Sequence, residues 1–69
     1  MNKIREYRKQ KGWSQEKLGQ QIGATGRSIG YYETGARKMN VQTAAMIAAA
    51  LETTLNDLFT PLQEQNERQ

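Results

Sequence analysis

Residues 14–38 read SQEKLGQQIGATGRSIGYYETGARK. Glycines at 19, 23, 26, 30 and 35 fall among good helix formers, and Gly26 and Gly30 sit within one short helical segment. The spacing still encodes two helices. Ser14 is a good N-cap, with Glu16 in the first turn where the helix dipole favours an anion. Leu18 and Ile22 share one face at i and i+4, and Gly23 ends the helix with the left-handed backbone that glycine adopts at little steric cost. Gly19 lies on the same inner side, where only a small residue lets a second helix cross closely. Thr25 caps the next helix, which runs to about Glu33, buries Ile29 and Tyr32, and ends at Thr34 and Gly35. Two short helices joined by a turn of about three or four residues containing glycine form a helix-turn-helix.

The rest of the chain reads as further helices around this pair. The first runs from about Asn2 to Lys11, with Ile4 and Tyr7 on one face and Gly12 at its end. Trp13 is expected to plug the core rather than to stack on a base. Asn40 caps a fourth helix with the apolar stripe Ala44, Ile47, Ala48 and Leu51. Thr54 and Asp57 fit a capping box for a short fifth helix carrying Leu55, Leu58 and Phe59. No apolar/polar alternation is long enough for a strand. The expected fold is all-α, a compact bundle of five short helices with a helix-turn-helix formed by helices 2 and 3. Residues 1–60 form the domain, and 61–69 a polar C-terminal tail.

Composition narrows the function. The 69 residues include no cysteine and no histidine, which removes disulfides, thiolate ligands and the commonest general base and metal ligand. Ser14, Ser28 and the threonines have no histidine to activate them, so no enzyme, metal or cofactor is expected. No apolar run approaches the ~20 residues of a membrane span and no signal-peptide pattern opens the chain; a cytoplasmic, nucleoid-associated protein is expected. Residues 1–38 hold nine basic and three acidic side chains, a surplus of six positive charges, whereas 39–69 hold one basic and four acidic. Such a division suits a polyanion bound on one side, although a solvated charged surface has the same composition.

The segments SQEKLGQQIG and ATGRSIGYYETGARK, and more loosely VQTAAMIAAALETTLNDLF, resemble the lambda-repressor-like helix-turn-helix family, also called the Cro/C1 or Xre type. The resemblance spans roughly Ile4 to Phe59. It implies a five-helix fold that binds double-stranded DNA, usually as a homodimer on a palindromic operator, and regulates transcription, repression being the commoner sign. Small members of the family are common in bacteria, phages and mobile elements. It also implies that Thr25 to Glu33 is the recognition helix, whose N-terminal residues reach base edges in the major groove.

Candidate site residues follow. With Ile29 and Tyr32 inward, the helical period turns Gly26, Arg27, Ser28, Gly30 and Tyr31 outward or partly so. Gly26, Arg27, Ser28 and Tyr31 are the expected base contacts, Arg27 first because its guanidinium can grip guanine bidentately. Gly26 and Gly30 are read as clearance that lets the helix sit deep in the groove; the alternative is tolerated surface glycine. Gln15, by resemblance, contacts phosphate at the start of helix two, where exposed N–H groups suit an anion. Thr25, Thr34, Arg37 and Lys38 complete the phosphate set. Lys9 and Lys11 are phosphate partners or solvated charges with equal merit. The resemblance pairs Arg8 with Glu33 as a structural ion pair. Leu55, Leu58, Phe59 and Leu62 are the expected dimer interface. The same patch admits a second reading: an antitoxin-like or other protein-interaction subunit that masks a partner and binds DNA only as an accessory.

Overall fold

Capping side chains set four of the five helix starts. The computed structural model describes residues 2–59, in the order α1 (Ile4–Gln10), α2 (Gln15–Ile22), α3 (Gly26–Thr34), α4 (Val41–Ala50) and α5 (Leu55–Leu58), with no strand among the described residues. Ser14, Thr25, Asn40 and Thr54 each accept a hydrogen bond from the backbone N–H three residues on, at 3.0, 3.1, 2.7 and 3.0 Å. Each of these bonds satisfies a donor that the first helical turn leaves unpaired. Lys3 precedes α1 without a side-chain cap, and Asn2 serves instead. Its Oδ1 accepts from the Ile4 N–H at 3.1 Å while its Nδ2 donates to the Tyr32 carbonyl at 3.0 Å, tying the start of α1 to α3. The expected all-α bundle with helices 2 and 3 in close contact is the observed one. Thr60 and the tail 61–69 lie outside the described residues.

The apolar stripes meet as their spacing requires. Ile4, Leu18, Ile29, Ile47, Ala48, Leu51 and Leu58 form the buried core, with Tyr7, Trp13, Ile22 and Tyr32 packed half-buried around it. Trp13 thus acts as the expected plug, and the Lys11 ammonium lies 5.1 Å from its ring centre. Lys11 also pairs with Glu52 at 3.1 Å, which takes this cation to the α4–α5 turn.

Leu58 departs from expectation. It is 0% exposed, and its carbonyl accepts from the Lys3 N–H at 2.9 Å, so it closes the core between α5 and α1 and presents nothing to a partner. Burying a leucine is worth about 1.5–3 kcal/mol, which in so short a chain explains its recruitment inward. Leu55, at 37% exposed, stays at the surface, Phe59 is half-buried, and Leu62 lies outside the described residues.

Candidate nucleic-acid interface

The α2–turn–α3 unit is held by a backbone approach. Gly23 takes φ +74°, and the Ala24 N–H donates to the Gly19 carbonyl at 2.8 Å. A Cβ on Gly19 would fall 2.7 Å from the Ala24 carbonyl oxygen and 2.9 Å from the Thr25 carbonyl carbon. Gly19 therefore admits the turn itself, a closer neighbour than the crossing helix that its spacing suggests.

Beneath this unit, Arg8 and Glu33 form the ion pair implied by resemblance. Arg8 Nε donates to Glu33 Oε2 at 2.6 Å, with side chains only 9% and 5% exposed. Arg8 Nη1 donates to the Trp13 carbonyl at 2.7 Å, and Gln15 Nε2 donates to Glu33 Oε1 at 3.1 Å. One carboxylate thus joins α1, the start of α2 and the end of α3.

This arrangement explains the bare positions of α3 and corrects their reading. A Cβ on Gly26 would lie 3.1 Å from the backbone N and Cα of Glu16; one on Gly30 would lie 3.4 Å from Gln15 Nε2. Gly26, Gly30 and Glu33 form a stripe at i, i+4 and i+7 that faces the first turn of α2. Gly26 makes room for the α2 backbone, whereas a Cβ on Gly30 would meet only ordinary contact with the Gln15 side chain. The two differ in consequence. At Gly30 the neighbour is the end of a flexible side chain, so Gly30→Ala is expected to raise stability by up to about 1 kcal/mol through helix propensity. A rise in the urea midpoint at unchanged slope checks it; a fall would mean that Gln15 cannot yield.

The opposite stripe carries the polar and aromatic side chains. Arg27, Ser28 and Tyr31 stand together at i, i+1 and i+4, with Arg27 and Tyr31 exposed. Arg27 makes no ion pair among the described residues. Ser28 Oγ accepts from Thr25 Oγ1 at 3.1 Å and from Arg37 Nη1 at 3.3 Å. The Arg37 guanidinium lies 4.8 Å from the Tyr31 ring centre. Thr34 ends α3 facing its own helix, its hydroxyl donating to the Gly30 and Tyr31 carbonyls at 3.2 and 3.3 Å. The remaining phosphate candidate, Lys38, is exposed.

The Helix-turn-helix family model matches residues 4–58. The chain belongs to the helix-turn-helix family. A relative from Bacillus subtilis (strain 168), an uncharacterized HTH-type transcriptional regulator YgzD, is 35% identical over 65 residues, covering 94% of this chain and 97% of the relative.

Sequence reasoning turned Arg27 and Tyr31 of this helix-turn-helix outward, as observed, but grouped Gly26 and Gly30 with them and missed three further features. The loop after α3 folds back so that Arg37 covers Tyr31; Gly35, at φ +82°, was the available hint of a reversal. Gln15 is engaged by Glu33, a bond across 18 residues that no local pattern announces. Val41, 77% exposed, is the most exposed large apolar side chain of the described residues. It borders a groove of about 450 Å³ that Tyr32, Met39, Leu55 and Phe59 also line. Among the described residues no helix is long and apolar enough to cross a membrane, and no group of three His, Cys, Asp or Glu side chains gathers to hold a metal.

Proposed function

We propose that this protein is a sequence-specific double-stranded DNA-binding transcriptional regulator, acting as a homodimer on a palindromic operator and in the repressing sense. The observation that carries the reading is Arg27: an exposed guanidinium without an ion-pair partner among the described residues, on the first turn of α3, on the stripe opposite α2. Family membership and the name of the Bacillus relative support the same reading and give no support to an enzyme.

In this mechanism α3 enters the major groove, Arg27 grips guanine O6 and N7, and Ser28 and Tyr31 meet neighbouring base edges. Gly26 contributes only backbone. Gln15, Thr25, Thr34 and Lys38 lie around the groove walls, the free N–H groups at the start of α2 adding to phosphate attraction. A second copy packs at the groove beside Val41 and Leu55, placing the two α3 helices about 34 Å apart in successive major grooves. Occupancy then blocks polymerase. The protein-interaction reading rests on the same exposed Val41 and Leu55; a mass measurement of the pure protein separates the two, a stable dimer favouring the regulator.

The test is selection of bound sequences from a random duplex pool at about 150 mM salt. An enriched site with two inverted halves is expected. On that site Arg27→Ala should cost about 1–3 kcal/mol and leave random DNA unaffected, whereas Lys38→Ala should weaken both equally and flatten the salt slope. Equal weakening of both DNAs by Arg27→Ala would overturn its assignment as base reader.

A further inference from the structure

We propose that Arg37 is a positioning residue of the α3 reading face, setting base discrimination by fixing the Tyr31 ring, with Ser28 holding the guanidinium in place, rather than by anchoring a phosphate. The inference rests on the DNA-reading function proposed above and names how its specificity is built.

Arg37 is nine residues from Ser28 in sequence, yet it is bound to this face at three points. Its backbone N–H donates to the Tyr31 carbonyl at 3.4 Å, its guanidinium stacks over the Tyr31 ring at 4.8 Å, and Nη1 donates to Ser28 Oγ at 3.3 Å. The left-handed backbone at Gly35 lets the chain reverse after α3 and bring these groups together. A planar guanidinium can stack on a ring through its face and donate from its edge at once; an ammonium on a flexible stem cannot do both with one geometry. Tyr31 is thereby confined to one side of α3, and a ring fixed before binding loses less freedom on meeting a base or sugar.

The same contacts fix the far end of the guanidinium. Ser28 Oγ accepts from Arg37 Nη1 and shares a hydrogen bond with the Thr25 hydroxyl, so the side chain that holds Arg37 is itself held by the N-cap of α3. Arg37 and Lys38 are both exposed, but only Arg37 has its charged group directed onto Tyr31 and Ser28; among the described residues no ion pair or ring contact holds the Lys38 ammonium.

The test compares wild type, Arg37→Lys, Arg37→Ala, Tyr31→Ala and the Arg37→Lys/Tyr31→Ala double variant, by duplex selection and by titration of the selected and a random duplex across salt. Arg37→Lys keeps the charge. It should leave random-DNA affinity and salt slope unchanged while the selected-to-random ratio falls about tenfold, the loss concentrated at the positions whose preference Tyr31→Ala also removes. In the Tyr31→Ala background the same lysine substitution should change the ratio little, since coupled residues do not add. A merely electrostatic Arg37 gives the opposite pattern: lysine rescues fully, alanine weakens both duplexes alike and lowers the salt slope. That pattern, or additive effects in the double variant, overturns the proposal while leaving the regulator intact. A wild type that enriches no sequence overturns both.

Discussion

Glu33→Ala is expected to be the most damaging single substitution in the described core, costing about 3–5 kcal/mol. The magnitude comes from what is left behind. Arg8, nearly buried, would keep only the Trp13 carbonyl at 2.7 Å, and the donor that now meets Glu33 at 2.6 Å would face no acceptor. An exposed pair would be worth at most about 1 kcal/mol, but these side chains are only 9% and 5% exposed, so both charges have given up most of their hydration to each other. Gln15 would lose its partner too, so the start of α2 would loosen against the end of α3. A domain of this size is typically stable by only about 3–10 kcal/mol, so much of the population would unfold. Urea denaturation followed by far-ultraviolet dichroism measures the loss. Replacing both partners by apolar residues, Arg8→Met with Glu33→Leu, should recover much of it, because the main penalty is an orphaned charge and not the missing attraction. A cost below about 1 kcal/mol for Glu33→Ala would show that water reaches Arg8 and that the pair behaves as a surface one.

The legible and illegible parts of this fold divide by range. Caps are local: Ser14, Thr25, Asn40 and Thr54 each act on an N–H three residues away, so their roles can be read directly. The apolar stripe Ala44, Ile47, Ala48 and Leu51 is equally periodic and is buried throughout. Which flank of α3 would lie against α2 is not local. The period sets Gly26 and Gly30 between buried Ile29 and exposed Tyr31, and a flank can face either a neighbouring helix or a groove. Only the crossing of α2, which brings Glu16 and Gln15 to that side, decides it. Leu58 was misread for a related reason. A four-residue helix has too few apolar positions to define a face, and the carbonyl bond to Lys3 that fixes it spans nearly the whole domain.

Gly19→Ala carries the second large effect, about 2 kcal/mol or more, and it tests the geometry on which the reading face depends. Alanine is the better helix former by up to about 1 kcal/mol, so a neutral site would gain from the change. Here the added carbon would lie 2.7 Å from the Ala24 carbonyl oxygen and 2.9 Å from the Thr25 carbonyl carbon. Both are backbone atoms and cannot swing aside as the Gln15 amide can beside Gly30. Relief requires the turn to move, and overpacking of this kind typically costs about 1–3 kcal/mol. The displacement would not stay local. Thr25 is the N-cap of α3 and hydrogen-bonds Ser28, so shifting its backbone shifts the first turn on which Arg27 stands. Gly19→Ala should therefore lower both the urea midpoint and the discrimination between selected and random duplexes. Gly23→Ala supplies the comparison: its φ of +74° makes alanine strained, but the space around it is open. That strain of about 1–2 kcal/mol should reduce stability with less effect on sequence selection. Should Gly19→Ala prove as stable as wild type, the α2–turn approach would be yielding rather than close, and the position of α3 would have to be fixed by Ile29 and the Glu33 cluster instead.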